Sequence, residues 1–282
     1  MENTRRKPEW LKIKLPKGQS STEVLNIVRK HNLHTICTSG MCPNQGECWG
    51  NRTATFMIGG DVCTRSCKFC NVKTGRPAPL DPAEPENIAN SVKLLGLKHA
   101  VITSVDRDDL ADLGAAHWVK VIEAVKRVNP ETTMEVLIPD FQGRRELVQQ
   151  VIEARPEVIS HNLETVRELS DGVRSRAKYD TSLQVIRQVS ESGIVSKSGI
   201  MLGLGETREQ ILRTMDDLLA VGCKVMTIGQ YLQPSEANLE VKEYVTPETF
   251  QEYERIGLEK GFRYVESGPL VRSSYHAEKH VR

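Results

Sequence analysis

Residues 54–70 read ATFMIGGDVCTRSCKFC: a β-branched and aromatic run, two glycines, then cysteines at 63, 67 and 70. The run has the composition of a buried strand, and Gly59-Gly60 lets the backbone turn sharply into the cysteine loop. The same strand pattern returns downstream in HAVITSV (99–105), TTMEVLI (132–138), EVISHNL (157–163), SKSGIMLGL (196–204), KVMTIGQYL (224–232) and the shorter FRYVES (262–267). Between these runs lie stretches with helical periodicity. Ile88, Val92 and Leu95 share one face of a helix from about Glu86 to Leu95. Trp118, Ile122 and Val125 do the same from about Ala115 to Val128, which Asn129-Pro130 ends. Further helices are expected near Arg144 to Ala154 and from about Thr181 to Glu191. Thr207 with Gln210 forms a capping box for a helix reaching Ala220. Thr246 and Pro247 supply the N-cap and N1 of a last helix that Gly261 stops.

Strands alternating with helices predict successive βα units around a parallel sheet. The expected fold class is α/β, a partial (βα)6-type TIM barrel with N-terminal and C-terminal extensions; a flat doubly wound sheet is the runner-up. The expected division is 1–53 as an N-terminal extension with one helix from Thr22 to Lys30, 54–266 as the barrel and 267–282 as a C-terminal extension. In barrels the reactive groups sit on the loops after the C-terminal ends of strands, and the Cys63 loop follows the first strand.

At 282 residues, with 39% hydrophobic and 27% charged side chains, the chain can bury one large core. A formal net charge of +1 argues against a nucleic-acid partner. The opening MENTRRKPEWLKIKLPKG has six Lys or Arg against two acids, and no apolar run long enough for a signal peptide or membrane span. It reads as a solvated basic arm, with docking to an acidic partner as the alternative. No membrane partner is expected, and the compartment is a reducing one, cytoplasmic by first choice. There, closely spaced cysteines hold metal rather than form disulfides.

Six of the seven cysteines form two triads, Cys37, Cys42, Cys48 and Cys63, Cys67, Cys70, and neither triad has a fourth cysteine. Three thiolates on a metal centre leave a position for something else. The tight spacing of the second triad suits one iron-sulfur cube, which Phe69 can shield from water. Half of a zinc knuckle is the competing reading, but it needs a second Cys or His pair at suitable spacing, and the one cysteine beyond Cys70 is the isolated Cys223. The histidines show no ligand spacing, so no mononuclear metal is expected.

The Cys-x3-Cys-x-Phe-Cys loop after a first barrel strand resembles that of the radical S-adenosylmethionine (SAM) superfamily. The loop, the first triad in CTSGMCPNQGECWG, and the C-terminal Arg272-Ser273-Ser274-Tyr275-His276-Ala277 together resemble the lipoyl synthase family. KSGIMLGLGET and QYLQPS match its stretches as well, so the resemblance covers nearly the whole chain. It implies two [4Fe-4S] clusters and SAM as cofactors. Cys63, Cys67 and Cys70 would hold the SAM-binding cluster. Cys37, Cys42 and Cys48 would hold an auxiliary cluster whose fourth ligand is the Ser274 hydroxyl. The implied reaction inserts two sulfur atoms at carbons 6 and 8 of a protein-bound octanoyl group. A 5′-deoxyadenosyl radical removes each hydrogen, the auxiliary cluster donates sulfur, and no protein side chain acts as the catalytic group. The implied partners are an octanoylated lipoyl carrier domain (E2 subunits or the glycine cleavage H protein), a reducing protein such as ferredoxin or flavodoxin, and a cluster-repair protein.

Several residues carry two readings. Asn162 and Glu164 close the fourth strand and bind SAM's ribose or methionine groups, or else cap a helix. Arg174 and Arg176 hold a carboxylate, or are solvated. Asp106, Asp108 and Asp109 orient the carrier at the barrel mouth, or cap a helix. Cys223, Trp49, Trp118 and Tyr231 read as core. A biotin-synthase-like sulfur inserter would share the barrel and SAM loop but not the first triad with RSSY; an electron carrier would have closed clusters and no need of a barrel.

Overall fold

The computed structural model describes residues 7–12, 19–30, 33–50 and 55–281. Most of the basic N-terminal arm and Ala54 therefore lie outside the described residues. The chain begins with helix α1 (Gln19–Lys30), strand β1 (His34–Thr35) and the short helices α2 (Ile36–Ser39) and α3 (Gln45–Gly50). The barrel follows with β2 (Thr55–Ile58), a clip of two short strands β3 (Val62–Cys63) and β4 (Lys73–Thr74), and α4 (Glu84–Leu95). Then come β5 (His99–Ser104), α5 (Ala115–Val128), β6 (Thr133–Leu137), α6 (Arg145–Glu153), β7 (Val158–Ser160), α7 (Arg167–Val173) and α8 (Tyr179–Glu191). The last units are β8 (Val195–Leu202), α9 (Arg208–Ala220), β9 (Val225–Gln230), α10 (Pro247–Lys260) and β10 (Tyr264–Gly268), followed by a 3-10 helix, Ala277–Val281.

Eight strands form one sheet in the order β1-β2-β5-β6-β7-β8-β9-β10, with every pair parallel except β1 to β2. Strands adjacent in sequence within the barrel are adjacent in space, with no reversal of winding, which excludes the doubly wound alternative. β10 is an open edge of the sheet, so the barrel is partial. The first edge is covered by β1 from the N-terminal extension, whose antiparallel register pairs His34 with Met57. That extension carries α2 and α3 as well as the expected helix. Short apolar-poor segments of four and six residues give too little periodicity to be read from sequence.

The caps explain why the helices start and stop where they do. Thr207 accepts from the Gln210 N–H while the Gln210 side chain accepts from the Thr207 N–H. Thr246 caps α10 ahead of Pro247, and Gly261 ends it at φ +117°, a conformation costly for any residue with a Cβ. Along the strands, alternate residues divide between two environments. Phe56, Ile58, Ala100, Ile102, Met134 and Val136 pack under the helices in one apolar cluster. Met226, Ile228, Ile200 and Leu202 do so in a second cluster beneath α9 and α10. The intervening residues, among them Thr103, Glu135, Ser160, Lys197, Gly199 and Thr227, face the lumen, so the barrel interior is unusually polar. Cys223, Trp49, Trp118 and Tyr231 are all buried. Among the described residues no helix is long and apolar enough to cross a membrane.

Candidate active site

A cavity of about 430 Å³ opens at the C-terminal ends of the strands. Its wall on one side is the Cys63 loop. After Ile58, Gly59 and Gly60 at φ +81° and +99° turn the chain into β3, and the Gly75 N–H to Cys63 carbonyl bond closes the loop with the β3–β4 clip. Cys63, Cys67 and Cys70 all line the cavity. The Cys63 sulfur accepts from the Arg65 N–H at 3.4 Å and the Asp106 N–H at 3.3 Å; the Cys70 sulfur accepts from the Val72 N–H at 3.5 Å. Burial pushes the Cys63 thiol up to about 12 and the Cys70 thiol to about 11, and neighbouring thiols add to both shifts. Such thiols ionise only when a metal takes their charge.

Arg65, inside the cysteine loop, holds that loop to the barrel. Its Nε and Nη2 donate to both Asp108 oxygens at 2.8 and 2.9 Å, and Nη2 also donates to Asp140 at 2.8 Å. Against a burial that raises them, Arg65 holds the Asp108 and Asp140 carboxyls below their ordinary values. Asp106 is raised to about 6 by burial despite Arg65 at 3.4 Å. Arg107 makes a second fork to Asp109 and donates to the Gly59 and Ala78 carbonyls. The acidic run at 106–109 does not cap α5, whose N-cap is Gly114; Asp106 and Asp108 face Arg65, and the exposed Asp109 faces Arg107. Sequence reading passed over Arg65 because an arginine between cysteines looks like any loop residue. Arg65→Ala leaves two nearly buried carboxylates without their cation. It is expected to destabilise the loaded protein by about 3–5 kcal/mol, read as a fall in the denaturant midpoint.

Asn162 and Glu164 follow β7 and line the cavity. Glu164 takes φ +68° and prolongs the pairing to β8, its N–H donating to the Gly199 carbonyl and its carbonyl accepting from the Met201 N–H. Burial raises its carboxyl, with Arg174 and Asn162 opposing. The Asn162 Oδ1 is buried without a partner, a cost tolerated where a ligand completes the bond. Neither residue caps α7, whose N-cap is Val166. Arg174 is buried behind them rather than exposed, and donates to Ser182 at 2.8 Å. Ser182 donates in turn to His161 Nε2, and His161 Nδ1–H to the Ile138 carbonyl. Burial and Arg174 lower His161 to about 4, so it is neutral at pH 7. Arg176 stays exposed, 3.6 Å from Asp108.

Ile36, Gly40, Met41 and Pro43, which flank the first triad, line the same cavity, although the triad's three cysteines do not. Cys37 is on α2, Cys42 in the turn that follows and Cys48 on α3. Burial raises Cys37 and pushes Cys48 to about 12; the three thiols sense one another electrostatically, so they are neighbours. The C-terminal segment lies over this triad. Asn44 Nδ2 donates to the Leu270 carbonyl at 2.7 Å, Tyr275 donates to Glu47 at 3.4 Å, and the half-buried Arg272 guanidinium lies within electrostatic reach of Cys42. Ser273 lines the cavity and Ser274 lies between these contacts. The segment crosses β9 so closely that a Cβ on Gly229 would sit 2.1 Å from the Val271 carbonyl oxygen, so only glycine fits there.

No disulfide joins the cysteines. Among the described residues no three Cys, His, Asp or Glu donors converge tightly enough for a single metal ion. In a cubane each thiolate takes a separate iron, so triads that are close without converging on one point fit a cluster.

The sequence profile of the Radical SAM superfamily matches residues 57–218. The chain is 70% identical over 281 residues to a lipoyl synthase of Treponema denticola, covering 100% of this chain and 97% of that protein. The chain belongs to the lipoyl synthase family. A lipoyl synthase of Bacteroides fragilis is 66% identical over 277 residues, 98% of this chain and 96% of that one. Among solved structures, methylornithine synthase (PylB) superposes with a TM-score of 0.60 at 15% identity, covering 88% of this chain and 75% of that chain. Streptococcus suis SuiB bound to S-adenosylmethionine gives 0.60 at 12%, covering 87% and 53%. At such identities these two share the fold alone, the partial barrel described above. As a lipoyl synthase the chain is a radical SAM sulfurtransferase, with SAM and [4Fe-4S] clusters as its cofactors.

Proposed function

We propose that the two triads divide the conversion of a protein-bound octanoyl group to a lipoyl group between them. Cys63, Cys67 and Cys70 hold the cluster that binds SAM. Cys37, Cys42, Cys48 and the Ser274 hydroxyl hold the auxiliary one, the segments 1–53 and 267–282 serving as its two-sided mount on the barrel 54–266. The observation that carries this reading is one shared cavity lined both by the Cys63 loop and by Ile36, Met41, Arg272 and Ser273, which lie next to the first triad and Ser274. When bound, these groups supply the reductive cleavage of SAM, removal of hydrogen from an unactivated carbon, and the sulfur that replaces it.

The chain's own residues bind, orient and exclude water. Asn162 and Glu164 are placed to hold the polar groups of SAM, with Arg174 behind Glu164 as its counter-charge. Phe69, half-buried against Tyr231 and Leu204, screens the loop from solvent. N–H groups of Arg65, Asp106 and Val72 directed at sulfur stabilise thiolate charge at Cys63 and Cys70. The cavity opens at the strand ends, where a lysine-tethered acyl chain of a carrier domain (an E2 subunit or glycine cleavage H protein) enters. Electrons come from a ferredoxin- or flavodoxin-type protein, and a cluster-repair protein replaces sulfur that has been used. Unbridged, closely spaced thiols suit the cytoplasm. Anaerobic iron and sulfide analysis tests the two-cluster reading. About eight of each per chain is expected from two cubanes, and about four removes the auxiliary site.

A further inference from the structure

The floor of the barrel is ionic. Lys197 of β8 and Glu135 of β6 point into the lumen, both fully buried, with Nζ and Oε2 at 2.8 Å. Below them the C-terminal 3-10 helix, Ala277–Val281, folds back against β5 and β6. It sets His280 Nδ1 3.1 Å from Lys197 Nζ. An ammonium group has no acceptor capacity, so Nδ1 accepts and the proton sits on Nε2. Burial, then Lys197, His99, His276 and Lys279, lower His280 to about 3, which keeps it in that neutral form. Its ring also packs against Tyr264 at the start of β10.

Replacing a buried Lys-Glu pair with apolar side chains is often neutral or stabilising, so an ionic floor has to be explained by specificity rather than stability. An apolar floor would accept any greasy residue in any register, whereas Lys197 Nζ takes a lone pair at one point in space. Besides the exposed Tyr275–Glu47 contact, three side-chain bonds pin the tail: Leu270 by Asn44, His276 by Glu266 at 2.7 Å, and His280 by Lys197. Ser274 lies between the first two pins. His276 is itself part-exposed, and at φ +50° it turns the chain down toward the floor. Of the two pins that follow Ser274, the one at His280 is therefore the buried one, and with Asn44 fixing the chain before Ser274 it sets the register after it.

We propose that His280 is a positioning residue, whose seating on the Lys197–Glu135 pair sets the register of the C-terminal tail and so holds Ser274 at the first cysteine triad. This rests on the reading of Ser274 as a ligand. The test uses full-length, cluster-loaded protein and compares His280→Ala, His280→Asn and Ser274→Ala. Amide hydrogen exchange of residues 270–281 is measured beside deoxyadenosine and lipoyl formation. In His280→Ala the tail is expected to exchange about tenfold faster, the effect of losing one hydrogen bond to a charged group. Lipoyl formation should fall by a similar factor while deoxyadenosine formation, which certifies an intact barrel, persists. His280→Asn, whose amide oxygen can accept from Lys197, should restore both. The double variant Glu135→Gln, Lys197→Met removes the partner from the other side and should loosen the tail to the same degree.

Unchanged tail exchange in His280→Ala overturns the anchor. A loosened tail with lipoyl formation intact in His280→Ala but lost in Ser274→Ala overturns the link from anchor to ligand. Intact lipoyl formation in Ser274→Ala overturns the ligand reading, while a loosened tail in His280→Ala still supports the anchor.

Discussion

Cys63→Ala is expected to abolish reductive cleavage of SAM, and with it all lipoyl formation, while the barrel stays folded. Of the three loop cysteines, Cys63 is the one built into the β3–β4 clip: it ends β3, and its sulfur receives N–H groups from Arg65 and Asp106. Alanine leaves those two donors facing a void and removes the one thiolate of the loop that stands on a paired strand residue, Cys63 opposite Thr74. The loop itself should persist. Arg65 still forks to Asp108 and Asp140, the Thr64 N–H still bonds to the Asp106 carbonyl, and Gly75 still closes on the backbone of residue 63. The loss is therefore chemical rather than structural, and unfolding midpoints should stay close to those of the parent. Cys67 is less enclosed, with the Ser175 hydroxyl 3.6 Å from its sulfur. Deoxyadenosine formation after anaerobic reconstitution is the measurement. Product above background would mean that these thiols do not hold the SAM-binding cluster.

How much of this was visible in the chain alone follows from how local each signal is. The βα repeat, the capping box at Thr207 and the Thr246-Pro247 start of α10 are written in neighbouring residues, so they were legible and the observed elements follow them within a residue or two. The partial barrel was legible for the same reason. β1 was not: two residues paired antiparallel to Phe56 and Met57 leave no pattern. Arg65 was missed because its partners lie 43 and 75 residues away, and nothing about an arginine predicts which carboxylates it will meet. Asn44 with Leu270 and Lys197 with His280 are more distant still. Arg174, for which the sequence left a cofactor-binding role on a carboxylate and solvation both open, is buried, with Ser182 and the Leu163 carbonyl accepting its donors. The polar face of the strands carried a hint. Glu135 and Lys197 interrupt otherwise apolar runs, and a charge inside a parallel strand demands a partner in the lumen.

Ser274→Ala and Cys42→Ala are expected to separate the two halves of the reaction. Both should keep SAM cleavage, because neither residue touches the Cys63 loop, and both should end sulfur insertion. Iron and sulfide should fall from about eight to about four per chain as the second cubane is lost. The informative variant is Ser274→Cys. A hydroxyl oxygen is a harder and weaker partner for iron than a thiolate, so serine as fourth ligand makes the auxiliary site the easier of the two to open. Cysteine at 274 should retain about eight irons yet make little lipoyl product, since a thiolate binds the iron that must be released for sulfur to leave. The tail geometry allows the exchange without rebuilding. On either side of 274, Arg272 lies within electrostatic reach of Cys42 and Tyr275 bonds to Glu47 beside Cys48, and Asn44 holds the backbone at Leu270 whichever side chain stands at 274. If Ser274→Cys instead matched the parent in lipoyl formation, the oxygen would have no function in release. If Ser274→Ala did so, position 274 would not be a ligand at all. Only full iron content joined to lost insertion in Ser274→Cys makes the weak ligand part of the chemistry rather than a convenient fourth contact.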